Sequence, residues 1–151
     1  MGGAGLTGGC QCGAVRYRLE TTPTGASICH CRMCQKATGS PFGAFAPMPR
    51  EALVFTRGAP KLFQSSAIAE RGFCAECGTP LTYRNVKSAR ISVTIGSLDD
   101  PEATPPEFQL EAQAAVSWIG DCLTKPNTEV DDWLKSRGVA DIGNRQHPDH
   151  D

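Results

Sequence analysis

The sequence predicts a mainly β domain of short strands and loops, tied together by clustered cysteines, with few short helices and one C-terminal helix. Three observations carry this. First, 16 glycines and 11 prolines punctuate 151 residues, so few uninterrupted runs are long enough for a helical bundle. Second, only 40% of the residues are apolar, lean for an ordinary core, so a cross-linked architecture is favoured. Third, seven of the eight cysteines fall into three tight groups. The length suits one domain, burying roughly 68–70% of its unfolded surface. We expect a domain over residues 1–136 and a polar tail over 137–151.

The elements follow in order. "GAVRYRLE" (13–20) reads as a half-buried strand turned by "TTPTG". Residues 27–31 look extended, and "RMCQKATG" suits one short helical turn ending at Gly39. "GAFAPM", "ALVFT" and "KLFQSS" are strand-like pieces broken by Pro47, Pro49, Gly58 and Pro60. "IAERGFC" leads as a strand into "CAECG", and "PLTYR" and "ARISVTIGSL" continue the β pattern. "DDPEATPP" is a loop. In "EFQLEAQAAVSWIG" the alanines permit a helix, but a strand at Phe108–Ala112 is favoured. "TEVDDWLKSRG" is the convincing helix, with Thr128 as N-cap, Asp131 at N3 and Gly138 as the stop. The tail "NRQHPDHD" is expected to fray, its two histidines solvated rather than metal-bound.

Charge excludes several classes. The formal net charge is −1 with basic residues dispersed, so no phosphate-binding stripe forms and nucleic acid is not an expected partner. No stretch approaches the roughly 20 apolar residues of a membrane span. The first ten residues, "MGGAGLTGGC", lack the features of a secretory signal, so a cytoplasmic location is expected. In a reducing compartment, clustered cysteines bind metal or do catalysis more often than they form disulfides.

Ligand counting then partitions them. In extended chain, residues i and i+2 point the same way, so Cys10 with Cys12, and Cys29 with Cys31, each offer two sulfurs to one point. Cys74 and Cys77 form a C-x-x-C turn, the geometry of a zinc knuckle, and Gly13 and Gly78 suit the sharp turns that follow. Cys10, Cys12, Cys74 and Cys77 make a closed, structural four-thiolate site. Cys29, Cys31 and Cys34 are left as three ligands with an open fourth corner, the usual construction of a catalytic zinc. His30 lies between two same-facing cysteines and should point away. Cys122 stands alone in "IGDCLTK"; it either completes the second site or is a small buried apolar residue.

Zinc with three thiolates is already electron-rich, so it acidifies water poorly. It holds an incoming thiol as an exchangeable nucleophile toward a carbon electrophile. No G-x-S-x-G elbow, Walker loop or dinucleotide fingerprint offers another chemistry. Arg32 and Lys36 flank the cysteines and are solvated or anchor a carboxylate of the thiol. Asp99 and Asp100 better suit capping the turn before Pro101 than moving protons.

The ordered motifs G-G-C-x-C-G-x-V-R-Y, C-H-C-x-x-C-x-K-A-T-G, F-C-x-x-C-G-T-P-L and G-S-L-D-D-P resemble one family. It is the glutathione-dependent formaldehyde-activating enzyme family, whose domain is shared with centromere protein V. The resemblance runs from Gly8 to about Trp118, more weakly to Leu134. It implies a β-rich zinc domain of short antiparallel sheets, a structural zinc on Cys10, Cys12, Cys74 and Cys77, and a second, catalytic zinc on Cys29, Cys31 and Cys34. The implied activity joins a small thiol, glutathione, to formaldehyde as S-hydroxymethylglutathione, a carbon–sulfur lyase in reverse. The alternative is a non-catalytic zinc-stabilised binding module with both metals structural. Two departures from the family pattern stand out: Gln109 replaces a common histidine, and "DCLT" at 121–124 replaces "D-G-L-P".

Overall fold

The computed structural model describes residues 5–151, so the N-terminal signal reading falls partly outside the described residues. Ten strands and two short α-helices follow in order: β1 Thr7–Gly9, β2 Arg16–Leu19, β3 Ser27–Cys29, α1 Arg32–Thr38, β4 Gly43–Pro49, β5 Leu53–Arg57, β6 Lys61–Gln64, β7 Ala69–Phe73, β8 Pro80–Asn85, β9 Arg90–Thr94, β10 Phe108–Leu110 and α2 Val130–Lys135. The fold is mainly β, as expected. β1, β2 and β5 form an antiparallel three-stranded sheet. The other seven strands form a second sheet in the order β10-β3-β4-β9-β8-β7-β6. Every pairing in it is antiparallel except that of β10 with β3. Among the described residues no helix is long and apolar enough to cross a membrane.

Tyr17, Leu19, Met48, Leu81 and Val93 are fully buried and join the two sheets in one core. Each contributes roughly 1.5–3 kcal/mol by leaving water. The core is locked by polar groups that find partners. Tyr17 Oη and Ser97 Oγ lie 2.7 Å apart, and Thr94 Oγ1 reaches Ser97 Oγ at 2.9 Å.

Pro47 does not interrupt its strand. β4 pairs with β3 only as far as Phe45 and runs on along β9, where Pro47 faces Ser92. The missing amide would have faced the side beyond the start of β3, so no ladder bond is lost. On that side the Pro47 carbonyl accepts from the Thr24 amide at 3.1 Å.

The last helix starts one residue later than Thr128 implies. Glu129 occupies the N-cap with no side-chain cap bond, and Gly138 takes the expected positive φ of 72°. The end of the tail returns to the domain. The His147 amide donates to the Gln11 carbonyl at 2.7 Å, and Arg16 Nε donates to Asp151 at 3.0 Å.

Asp100 caps the 3-10 turn at Pro101–Ala103 by accepting from the Glu102 amide, as expected. Asp99 does something else: both its oxygens accept from the buried Arg16 guanidinium, and Oδ2 also accepts from Thr7. Burial opposes the Asp99 carboxylate, but Arg16 and Thr7 outweigh it and hold its pKa below the ordinary range. A depressed carboxylate stabilises the fold above its unfolded pKa and loses that contribution as pH falls through the folded value. We expect Asp99→Asn to cost about 3 kcal/mol at neutral pH, since one member of a buried pair is removed. Urea unfolding at pH 7 checks this, and a deficit below about 1 kcal/mol would contradict it.

Candidate metal centre

Two sulfur clusters form. The first uses two knuckles of the same design. The Gly13 amide donates to the Cys10 carbonyl at 3.0 Å and the Gly78 amide to the Cys74 carbonyl at 2.9 Å. Both glycines take positive φ, 78° and 80°, where a side chain would be strained. Thr79 Oγ1 couples the knuckles, accepting from the Gln11 amide at 3.0 Å and lying 3.1 Å from Cys77 Sγ. The four sulfurs of Cys10, Cys12, Cys74 and Cys77 lie within 4.8 Å of one another. Cys10 and Cys12 are 3.5 Å apart and Cys12 and Cys74 3.8 Å. Bonds of about 2.3 Å to a tetrahedral zinc would place sulfurs about 3.8 Å apart, so the spacing fits that ion.

The second cluster holds the sulfurs of Cys29, Cys31 and Cys34, also within 4.8 Å of one another. Cys29 ends β3. Cys31 is the N-cap of α1, its sulfur accepting from the Cys34 amide at 3.4 Å. Cys34 is carried on the first turn of that helix. The helix stops at Gly39, whose φ of 65° ends it as the sequence implied. Phe45 and Tyr83 pack against this cluster.

The pKa values explain why these thiols call for a cation. Burial opposes ionisation of Cys31, but hydrogen bonds from the Cys34 backbone, Cys34 and Cys29 outweigh it and lower its pKa. Burial, with Cys31 and Cys34 nearby, pushes Cys29 up to about 12 against the help of the Cys31 backbone. In the first cluster burial opposes Cys77, yet Thr79 and Cys12 bring it down to about 6. The Ala14 backbone favours the Cys12 thiolate, but burial and the thiols of Cys10, Cys77 and Cys74 push it up to about 12. Each cluster thus accommodates one anion readily and resists the next. A bound divalent cation removes that resistance and lets every sulfur be a thiolate. Both donor sets fit zinc.

His30 and Cys122 do not complete the second cluster. The His30 ring is 2% exposed, stacks edge-on against Phe42, and its Nε2 lies 3.0 Å from Gln109 Oε1. Gln109, one of the two family departures, is therefore the partner of the histidine between the cysteines. Cys122 is exposed on a 3-10 turn, not a buried apolar residue, because that segment lies outside the core. Arg32 turns to Gln35, and Lys36 is exposed at the rim of a cavity beside α1.

One residue of the site was missed. Arg71, on β7, is 9% exposed and donates from Nη2 to Cys34 Sγ at 3.5 Å. Its guanidinium lies 5.0 Å from the centre of the Tyr83 ring, and Nε donates to Ser65 Oγ. No carboxylate pairs with it among the described residues. Its counter-charge is the thiolate cluster. We expect Arg71→Gln to weaken metal binding at the second cluster about 10–100-fold, as loss of a ligand's outer partner does. Competition with a chromogenic chelator measures this; unchanged affinity would contradict it.

The profile of the glutathione-dependent formaldehyde-activating enzyme family matches residues 5–113, a stretch that includes all seven clustered cysteines. The chain belongs to this family. Similar proteins include an uncharacterized lyase of Schizosaccharomyces pombe, 35% identical over 83 residues, or 54% of this chain and 60% of that protein. A Podospora anserina protein provisionally named a glutathione-dependent formaldehyde-activating enzyme is 34% identical over 80 residues, covering 52% of this chain and 37% of its own. The matched stretch thus spans less than two thirds of either relative. A crystal structure of a Rhodobacter sphaeroides protein superposes with a TM-score of 0.56 at 23% identity, covering 68% of this chain and 98% of that one. That likeness is one of fold.

Proposed function

We propose that this member of the family is a zinc-dependent carbon–sulfur lyase acting on the adduct of a small thiol and an aldehyde. Glutathione and formaldehyde are the pair to which the family name points. Cys10, Cys12, Cys74 and Cys77 hold a structural zinc, and Cys29, Cys31 and Cys34 hold a catalytic one. The observation that carries the reading is the second cluster: three cysteine sulfurs, no fourth protein ligand among the described residues, and a cavity of about 190 Å3 beside them.

Zinc bound there supplies a coordination position that keeps a thiol ionised and exchangeable. The protein's own groups do the rest. Arg71 places a fixed positive charge against Cys34 and offsets the charge of three thiolates. Phe45 and Tyr83 wall the cavity on its apolar side. In the synthetic direction the thiolate sulfur bonds to the aldehyde carbon, the carbonyl π pair moves to oxygen, and that oxygen takes up the proton released by the thiol. Cleavage is the reverse, with no change of oxidation state.

Exchange NMR of glutathione with formaldehyde tests this. The metal-loaded protein should accelerate equilibration above the spontaneous rate, and the Cys31→Ser protein should not. No acceleration by the wild type would overturn the reading.

A further inference from the structure

The cavity at the second cluster shares its walls with a larger chamber. The smaller one is lined by Cys29, Cys31, Cys34, Tyr83 and Leu110. The larger, about 370 Å3, lies under α1 and is lined by Lys36, Ala37, Phe63, Phe73 and Pro80. Met33, Phe45 and Arg71 line both. Building on the proposed lyase reading, we propose that this chamber receives an apolar substituent on the carbon of the adduct. The substrates would then be adducts of a small thiol with aryl- or alkyl-bearing aldehydes.

Size is the first argument. An apolar cavity of about 150 Å3 takes up benzene, whereas formaldehyde carries a single carbon and would leave this chamber unfilled. Lining is the second. Met33 and Ala37 on α1 face Phe45, Phe63, Phe73 and Pro80 from four strands. The polar side chains around them are largely engaged with the protein itself. Thr38 Oγ1 donates to the Cys34 carbonyl at 2.8 Å and Thr94 Oγ1 to the Pro80 carbonyl at 2.7 Å. Ser65 and Arg71 are bonded to each other. A peptide carboxylate would meet the exposed Lys36 amine and an Arg71 guanidinium already engaged by Cys34 and Ser65, and an α-amino group would meet no acidic side chain in the lining. The chamber is therefore unsuited to the polar arms of glutathione and suited to what the aldehyde carbon carries. The third argument is adjacency, because Met33, Phe45 and Arg71 border both spaces and so place the chamber next to the sulfurs where the carbon–sulfur bond forms. The reaction stays balanced: the thiol adds across the carbonyl of R–CHO to give the 1-hydroxy thioether, with the thiol proton ending on oxygen.

Unreactive thioethers test this by calorimetry on the metal-loaded protein. S-benzylglutathione should bind at least about tenfold more tightly than S-methylglutathione, since a phenyl ring is moved out of water. Ala37→Trp, which fills the chamber from exposed α1, should abolish that advantage and leave S-methylglutathione within about twofold. Equal affinities in the wild type overturn the proposal whether or not the variant folds, while accelerated glutathione–formaldehyde exchange would leave the lyase reading standing. Absence of binding by both thioethers also overturns it. Turnover distinguishes the two sides of the bond: the protein should accelerate glutathione with phenylacetaldehyde over its spontaneous rate more than benzyl mercaptan with formaldehyde over its own, and the reverse order of acceleration overturns the assignment to the carbon side.

Discussion

Cys74→Ala protein should show no cooperative unfolding transition at 25 °C. The reason is magnitude. A structural zinc supplies on the order of 10–16 kcal/mol of apparent binding energy at neutral pH, while a domain of this kind has a net stability of about 5–15 kcal/mol. Cys74 is buried, its amide and carbonyl anchor the second knuckle, and its sulfur lies 3.8 Å from that of Cys12. Losing it opens the link between the start of β2 and the hairpin of β7 and β8. Chelation of the wild type should do the same, and re-addition of zinc should restore the transition. Near-ultraviolet circular dichroism during urea titration measures this. A Cys74→Ala protein that unfolds cooperatively within about 1 kcal/mol of wild type would show that the first cluster does not hold the fold together.

The second cluster should behave in the opposite way. Cys31→Ser should keep a cooperative unfolding transition, because the first zinc still ties the knuckles and serine is as good an N-cap and can accept from the Cys34 amide in place of sulfur, so the loss is limited to the binding energy of the second metal. Turnover of the thiol adduct should fall by on the order of 10³-fold, since a hydroxyl is a poor substitute for a thiolate ligand and several kcal/mol of metal assistance go with it. The pairing of a stable fold with lost turnover separates a catalytic cluster from a structural one. Unfolding by Cys31→Ser comparable to that by Cys74→Ala would favour the module with two structural metals.

Much of this was legible in the chain because the signals are local. The C-x-C of Cys29 and Cys31 lies in extended chain as read, that of Cys10 and Cys12 closes instead as a turn like the C-x-x-C followed by glycine, and either local geometry brings the sulfurs together, so both clusters assemble as counted. Alternation and β-branched runs located the strands for the same reason. What escaped depends on contacts distant in sequence. Nothing around Arg71 in "AERGFC" indicates that β7 will aim a guanidinium at Cys34, 37 residues earlier. Pro47 looks like a strand breaker until one sees that β3 begins only past it and leaves that side of β4 unpaired by a strand. Cys122 looks buried by composition, but its segment packs outside the core. The return of the tail rests on the His147 amide donating to Gln11 in the first knuckle and on Asp151 accepting from Arg16 on β2, which no periodicity encodes.

The central claim is an open thiol-binding corner at Cys29, Cys31 and Cys34. X-ray absorption at the zinc edge, recorded anaerobically during a glutathione titration, tests it most directly. We expect two zincs per chain, with average sulfur coordination rising from about 3.5 to about 4 as glutathione binds. Two zincs with full sulfur coordination from the outset, unmoved by glutathione, would contradict it.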